Sequence, residues 1–571
     1  MTVATMLPWL KQKARTYGVV FVLTGIIVLG ITLRTYHFSD WLHFEIDQSY
    51  DTQIISRAVD QGMANLPLLG PTAGGGRSLR LGPAFYYLEY ASAKIFGNTP
   101  AGHAAAVPLL AILSLPLFYF FCRRYFTVPL ALALLALFSV SAYNVLFSRF
   151  SWSPNVLPFF IIVSFYALLR SVSPREQHRE RFFLVAVAFL TLITQIHFNA
   201  FFIVPAITFS FLLIKRPHFA LRTWGLAVAL SVFLYSPVLI NEWQTGGENF
   251  QFFQEKLIKA QPKNPDIRGT LIENVRHTAA AYFFILSSQG IIDSKSLPHN
   301  LVTDDGNVWY WPGLFFLFSG VAILIWNIRQ EKVPEKRDFL ILIALWAFWS
   351  FLFFYSLVSG YRIYPRFFLL VSPLPIILAG LLLERLSCEK NTWRSAAFAI
   401  IILVLTLSNL SLVKNFFTAH AENSFDHIPT GDVFPDTHRI NITDQLAVID
   451  YILSKTENNT YPVYLQSFQE IEPALWYHLN RKGIFYQGSL DADHVYAEGN
   501  YFLINSDPVR RDLTRSFAVA EKRQLGVFTV YHLTPLPQAV TALHQDTTEK
   551  EIYLQTEQIS KLLTWKKVFS R

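Results

Sequence analysis

Long apolar segments are the feature that most constrains this chain of 571 residues. A helix needs roughly 17–25 mostly apolar residues to cross a bilayer. About eleven segments meet this length criterion, and together they predict a polytopic bundle of membrane helices. They lie at 17–35, 100–121, 127–147, 155–171, 182–197, 199–214, 223–241, 309–328, 338–358, 366–385 and 394–413. The segments 182–197 and 199–214 are short, so a bent helical hairpin also fits them.

Composition agrees with a membrane protein. Hydrophobic residues make up 52% of the chain, charged residues only 15%, and the mean hydropathy is +0.32. The net charge of +8 is explained by Lys and Arg in cytoplasmic loops rather than by nucleic-acid binding. The two cysteines, Cys122 and Cys388, predict neither a disulfide framework nor a cysteine metal site.

The basic residues set an orientation. They follow every second apolar segment, as in Arg123, Arg170, Lys215, Arg329 and Arg385. By the positive-inside rule these loops are cytoplasmic. The first apolar segment is long and has no cleavage site after it, so it is predicted to be retained. We therefore expect a multi-pass protein of the plasma (inner) membrane, with its N-terminus in the cytoplasm and its C-terminal region outside.

This orientation places three large pieces outside the membrane. Two are loops, at 36–99 and 242–308, within a membrane domain predicted for residues 1–414. The third is residues 415–571, in which short apolar runs alternate with helical patterns. The runs TYPVYLQS, GIFYQG, NYFLINS and VFTVYHL have the length of strands. A small soluble α/β domain is predicted here, ending after Pro537 in an amphipathic helix.

The first loop contains acidic residues directly after a membrane segment, in the stretch FEIDQSYDTQII at 44–55. The pattern YDTQIISRAVDQGM at 50–63 predicts a short helix lying on the membrane surface. An irregular segment with a glycine triplet follows. AFYYLEYASAKIFG then predicts a second amphipathic helix before the next span.

The membrane part resembles the polyprenyl-phosphate-sugar-dependent glycosyltransferases of the GT-C clan, family 39, which include protein mannosyltransferases and the lipid A aminoarabinose transferase. In the first loop, the resemblance rests on the acidic pattern Asp47 to Asp51, PLLGP at 67–71 and LGPAFYYL at 81–88. Further echoes are SRFSWSPNVLPFF, QIHFNAFFIVP and YPRFFLLVSPLPIILAG. Each motif is loose alone, but their order along the chain is more specific.

The resemblance implies a reaction and residues for it. Asp47 matches the catalytic aspartate of the clan, which implies a general base for a single displacement that inverts the sugar. Asp51 is a candidate second acid at the site. A leaving phosphate needs cations, and the candidates are Arg57, Arg77, Arg80, Arg362 and Arg366. The amides of the glycine triplet 74–76 are a further, weak candidate for the phosphate. The cavity-lining candidates are Tyr50, Arg149, Trp152, Asn155, His197, Asn199 and Tyr361.

Each candidate has a simpler alternative. Asp47 alone fits a helix N-cap, and Asp51 fits a first-turn residue favoured by the helix dipole. Arg57 and Arg80 fit ordinary interfacial arginines. His197 fits a group that satisfies a helix break. Trp152 fits a membrane-interface anchor, while Glu45 is expected to be solvated.

The loop RFSWSPN lacks the carboxylate that many relatives carry, so we expect no essential metal and no cofactor beyond the lipid-linked sugar. Partners are then the membrane lipid, the polyprenyl-phosphate donor and a glycolipid, cell-envelope polysaccharide or protein acceptor. Two alternatives stay open: an oligosaccharyltransferase-like enzyme, and a lipid or sugar transporter or flippase. A transporter predicts internal repeats, and none is visible in the sequence.

Overall fold

A computed structural model describes most of the chain. The described ranges are 3–73, 79–259, 266–289, 308–358, 363, 365–387, 392–422, 440–468, 471–484, 486–504, 513–544 and 562–570. Their architecture is mostly helical, with one small sheet near the C-terminal end.

The described residues up to 422 contain seventeen helices, α1–α17. In chain order they are α1 (Val3–Thr35), α2 (Ile46–Gln61), α3 (Ala84–Phe96), α4 (Pro100–Ala104), α5 (Ala106–Arg123), α6 (Val128–Val140), α7 (Ala142–Phe147), α8 (Leu157–Val172), α9 (Arg179–Ile196), α10 (Phe198–Lys215), α11 (Leu221–Thr245), α12 (Glu248–Lys259), α13 (Ile267–Ser287), α14 (Tyr310–Gln330), α15 (Pro334–Val358), α16 (Pro373–Ser387) and α17 (Thr392–Glu422). Short 3-10 turns at Ser153–Val156 and Pro365–Val371 separate some of them.

The multi-pass character is confirmed, but fewer helices qualify as spans than the sequence predicts. Within the described ranges, 8 helices are long and apolar enough to cross a membrane, or 9 if a pair bent by 56° at Ser372 counts as one span. The predicted span 127–147 is divided at Ser141 into α6 and α7. Asn409 of α17 accepts the Ala142 N–H at 2.9 Å, which satisfies the backbone at this break.

The helices of the first loop form as predicted, with one shift. α3 confirms the second amphipathic helix. α2 begins at Ile46, four residues before the predicted start, because Glu45 and Gln48 form a capping box. The Gln48 side chain accepts the Glu45 N–H at 3.2 Å. This earlier start brings Asp47 into the first turn of the helix.

The second loop also contains two helices, α12 and α13. The second half of α13 is not a solvated loop element. Residues 278–287 are buried apart from the partly buried Phe283, and the helix packs against α14, α15 and α16.

The C-terminal sheet confirms the α/β character of this region. Its strands are β1 (Val463–Gln466), β2 (Tyr486–Gly488), β3 (Asn500–Ile504), β4 (Phe517–Leu525) and β5 (Phe528–Pro535), in the order β2-β1-β3-β5-β4. β1 pairs in parallel with β2 and β3, whereas β5 is antiparallel to β3 and β4. Helices α18 (Ile442–Thr456) and α19 (Glu472–Arg481) accompany it. The strand β4 has no counterpart in the sequence prediction, because its residues are mostly exposed and three of them, Glu521, Lys522 and Arg523, are charged.

The helical tail predicted after Pro537 falls mainly outside the described residues. Its described end contains the short helix α20 (Trp565–Phe569). This end returns to the first loop, where Leu563 accepts the Leu68 N–H at 3.0 Å and Leu66 accepts the Trp565 N–H at 3.2 Å. The first loop therefore lies between the membrane helices and the C-terminal region.

Candidate active site

Asp47 lies in the first turn of α2, where the capping box fixes the start of the helix. The N-cap is Glu45 and not Asp47, so the capping alternative for Asp47 does not hold. Glu45, which the sequence suggests is solvated, is only 6% exposed, and its carboxylate lies 3.8 Å from the His43 Nε2 atom. The cap is therefore buried, and Asp47 is left available for another role.

The Asp47 side chain is accessible to solvent but surrounded by protein. Its residue is exposed to solvent, yet the surrounding protein is dense enough for desolvation to raise its pKa above 3.8. From these two observations we infer that the carboxylate faces a recess that is open to solvent. The positive charge of Arg366 and an N–H donated by the Trp152 indole lower the pKa again, but less than desolvation raises it. The result is a carboxylate with a raised proton affinity and an open approach, as a general base requires.

Asp51 lies one helical turn further on and points into the protein. It is 9% exposed, and the Tyr86 hydroxyl of α3 donates to its carboxylate at 2.6 Å. Burial, with a smaller contribution from the charge of Asp47, raises the pKa of Asp51 to about 7, although the Tyr86 hydrogen bond and the charge of Arg80 act in the opposite direction. Near neutral pH this carboxyl therefore exchanges a proton easily.

Two residues at the site were not singled out from the sequence. Glu89 of α3 is 1% exposed, and the Ser151 hydroxyl donates to its Oε1 atom at 2.5 Å. Burial and the charge of Asp51 raise the pKa of Glu89 well above its ordinary value. A single acid within the apolar pattern AFYYLEYASAKIF was the available signal, since a buried carboxyl needs a partner.

The arginine candidates divide into two groups. Arg366 acts electrostatically on Asp47, and its guanidinium lies over the Trp152 ring, 4.7 Å from the centroid. Arg80 acts on Asp51 and donates to the Gly70 carbonyl at 3.0 Å. Arg57 is exposed and donates to Gln61 on its own helix at 3.2 Å, away from the acids. The remaining predicted groups, Arg77, Arg362, Tyr361 and the glycine triplet 74–76, lie outside the described residues.

The segment that carries Arg80 is tightly held. The Asn249 amide of α12 accepts the Arg80 N–H at 2.8 Å and donates to its carbonyl at 3.1 Å. A Cβ atom at Gly82 would lie 2.6 Å from the Gln195 side chain, so only glycine allows this approach. Contacts from two other parts of the membrane domain thus hold Arg80 in place.

The cavity candidates have different positions. His197 accepts the Asn199 N–H at 3.2 Å through Nδ1 and so caps α10, which supports the helix-break alternative. Its ring nevertheless lies 6.0 Å from that of Phe367, beside Arg366. Asn199 is buried, and none of the described residues pairs with its amide nitrogen. Tyr50 is partly buried on α2, three residues after Asp47.

The hydrogen bonds of Arg149 and Asn155 do not involve Asp47. Arg149 donates to the carbonyls of Leu33 and Tyr36 at 3.1 and 2.6 Å, where it neutralises the C-terminal end of α1. Asn155 lines a separate small pocket within the helix bundle, together with Arg34 and Asn144. Asp47 and Asp51 are not among the residues that line this pocket.

Among the side chains that the structure describes, no group of three or more His, Cys, Asp or Glu residues is arranged to hold a metal ion. The described site consists instead of one accessible carboxylate, two buried carboxyls, an indole donor and two guanidinium groups. This set can accept a proton from a hydroxyl and can stabilise a departing anion.

One segment of the chain matches a known protein family. Residues 81–241 match the family described as dolichyl-phosphate-mannose-protein mannosyltransferase. This segment includes Glu89, Ser151, Trp152 and His197. No curated protein matches the chain.

The solved structure of apo ArnT has a similar fold. ArnT from Cupriavidus metallidurans in the apo state is 13% identical, with a TM-score of 0.52 over 92% of this chain and 99% of that one. ArnT from the same organism bound to undecaprenyl phosphate is 12% identical, with a TM-score of 0.49 over 92% of this chain and 99% of that one. The oligosaccharyltransferase AglB from Archaeoglobus fulgidus is 13% identical, with a TM-score of 0.45 over 75% of this chain and 61% of that one.

The family match and the shared fold agree with the resemblance that the sequence motifs indicate. The chain is a membrane glycosyltransferase in which residues 81–241 match the dolichyl-phosphate-mannose-protein mannosyltransferase family and whose fold is similar to that of ArnT.

Proposed function

We propose that the chain transfers a monosaccharide from a polyprenyl-phosphate donor to a hydroxyl group of a glycolipid, a cell-envelope polysaccharide or a protein. The acceptor oxygen attacks the anomeric carbon, and its proton passes to the Asp47 carboxylate. The bond between the anomeric carbon and the phosphate oxygen breaks, and the electron pair leaves with the phosphate. Since there is one displacement, the anomeric configuration inverts.

The observation that carries this proposal is the position of Asp47 between an open recess, the Trp152 indole and Arg366. Desolvation makes the carboxylate a stronger base, and such a base typically contributes about 10²–10⁴-fold to a rate. The donor class is supported by the family match, whose description contains a dolichyl-phosphate sugar.

Arg366 is the best-placed described cation for the leaving phosphate, because it lies beside the base and stacks on Trp152. Arg80 is the second, on the Asp51 side. Fixed positive charge near developing negative charge lowers the barrier without reorganisation during the reaction. Since both cations come from the chain itself, we propose that no metal is essential.

We also propose that the site faces outward. The basic loops after alternate segments favour a cytoplasmic N-terminus, and the single crossing by α1 then puts the first loop on the outer face. Because α19 packs against α2 of this loop, the C-terminal region lies on the same face. A lipid carrier that spans the bilayer presents its phosphate near this interface, at the end of α1.

The test is transfer of a radiolabelled sugar from polyprenyl phosphate in membranes that contain the Asp47→Asn variant. Asparagine keeps the shape but cannot take the proton, so we expect at least about a 10²-fold loss of rate. The matched control is Asp40→Asn, an exposed acid in the same loop, which should retain the rate. Undiminished transfer by Asp47→Asn removes Asp47 from the mechanism. Activity that a chelator abolishes and a divalent cation restores overturns the metal-free proposal.

A further inference from the structure

The helix that carries Asp47 is covered by the C-terminal domain. α19 packs against α2. On its surface, the Arg481 guanidinium lies 2.6 Å from the Asp60 carboxylate, and the Tyr477 hydroxyl lies 3.4 Å from the Ser56 hydroxyl. These contacts join parts of the chain more than 400 residues apart. The membrane domain alone therefore does not enclose α2.

One contact of this interface lies next to the site. The Gln445 side chain of α18 is fully buried, and its Nε2 atom donates to the Phe44 carbonyl at 2.9 Å. Phe44 directly precedes Glu45, the buried cap of α2, and Asp47 lies three residues after Phe44. The Phe44 ring lies 5.3 Å from that of Tyr477 and 5.4 Å from that of His478. The C-terminal domain thus contacts both the backbone and the side chain of Phe44.

The contacts of the interface differ in weight. The Arg481–Asp60 pair is 40% and 50% exposed, and exposed ion pairs contribute little. The Tyr477–Ser56 contact is at the long limit for a hydrogen bond. The Gln445–Phe44 bond is buried, so its loss would leave a backbone carbonyl unsatisfied away from water, which is costly. Gln445 therefore dominates the polar part of this contact.

We propose that Gln445 is a positioning residue for the transfer reaction: it holds the Phe44–Asp47 segment, and through it the C-terminal domain sets the direction of the Asp47 carboxylate. The proposal rests on the proposed role of Asp47 as the base. Gln445 does not itself touch the substrate. It acts through the backbone at the start of α2, where a shift of about 1 Å is enough to reduce a rate about 10²-fold.

Gln445→Glu gives a test with a characteristic pH dependence. A buried carboxyl keeps its proton to higher pH than usual, so at low pH this glutamic acid can still donate to the Phe44 carbonyl. At high pH the carboxylate cannot donate, and it repels the carbonyl. The titratable neighbours of Phe44 and Gln445 along the chain are His43, Glu45 and Asp444, and the Tyr477 and His478 rings contact the Phe44 ring. Burial lowers the pKa of His478 to about 4, so it stays neutral throughout the assay.

We expect the kcat of full-length Gln445→Glu, relative to the unmodified protein, to be near one at pH 5.5 and to fall at least about tenfold by pH 8.5. The KM for the donor should stay within about twofold, since donor contacts are unchanged. The matched control is Gln524→Glu, an exposed residue of β4 in the same domain, whose ratio should not change with pH. A Gln445→Glu ratio that is also flat overturns the proposal.

Hydrogen exchange tests the same point without any substrate. In Gln445→Leu, we expect amides at 44–52 to exchange about tenfold faster, while those of β3 keep their rate. If the unmodified protein transfers no sugar, the proposed function fails, and the exchange result still decides the positioning role. Unchanged exchange at 44–52 contradicts that role, and faster exchange throughout the C-terminal domain shows a general loss of stability instead.

Discussion

Asp51 allows a quantitative test of the buried acidic cluster by Asp51→Asn. In the folded protein the pKa of Asp51 is about 7, compared with an ordinary value of 3.8, because the carboxyl is buried and lies near the charge of Asp47, although the hydrogen bond from Tyr86 lowers the pKa. Asparagine has the same shape and can still accept the Tyr86 hydroxyl, but it carries no ionisation cost. The variant should therefore be more stable than the unmodified protein, and by an amount that depends on pH.

The sign follows from the direction of the shift. A raised folded-state pKa means that the folded state binds the proton more tightly than the unfolded state does. The stability that this binding contributes is complete below 3.8 and is lost as the pH rises through about 7. A shift of about three units corresponds to about 4 kcal/mol of cost when Asp51 is fully ionised. At pH 5 the folded carboxyl keeps its proton, and the cost is about 2 kcal/mol.

The assay is the free energy of unfolding in mixed micelles, from denaturant titrations at pH 5 and pH 8. Between these values the unmodified protein should lose roughly 2–3 kcal/mol more than Asp51→Asn. Asp40→Asn is the control, because Asp40 is half exposed and should follow the unmodified protein. Parallel losses in Asp51→Asn and the unmodified protein refute the conclusion that this carboxyl is buried and protonated.

Two further predictions concern the base and the phosphate. Trp152→Phe removes the indole N–H that lowers the pKa of Asp47 but keeps a ring beneath Arg366. The acid limb of the kcat/KM profile should therefore move upward by about one to two pH units, and an unmoved limb excludes the hydrogen bond. Arg366→Ala should reduce transfer about 10²-fold, whereas Arg57→Ala, which removes an exposed guanidinium bonded to Gln61, should stay within about twofold. Equal losses in the two arginine variants, measured with the same labelled donor, would mean that Arg366 has no special role.

The sequence is sufficient for features that depend on local pattern. Apolar segments predict the membrane helices, and strand-length runs predict β1, β2, β3 and β5. Asp47 could be selected because it stands in an ordered series of motifs beside a membrane segment. The sequence pattern predicts too late a start for α2, because the helix is extended by capping from Glu45 and Gln48, which depends on side-chain geometry.

Contacts between distant residues could not be predicted from one sequence. Ser151 and Glu89 are 62 residues apart, and neither has a local signature of pairing. The division of the predicted span 127–147 depends on Asn409, far along the chain. The sequence pattern does not predict β4, because an exposed edge strand lacks the apolar alternation that identifies a half-buried strand. In each case the deciding partner lies elsewhere in the folded protein.

The return of the chain near Leu563 and Trp565 to the first loop has a consequence for biosynthesis. Trp565 donates to the Tyr87 hydroxyl at 2.9 Å across 478 residues of sequence. At roughly 5–20 residues per second, the ribosome adds these partners on the order of half a minute or more after the first loop has emerged. During that interval the loop lacks its final neighbours. Catalytic competence is therefore expected to appear late, and a nascent chain arrested before residue 562 would be inserted in the membrane but not yet able to act.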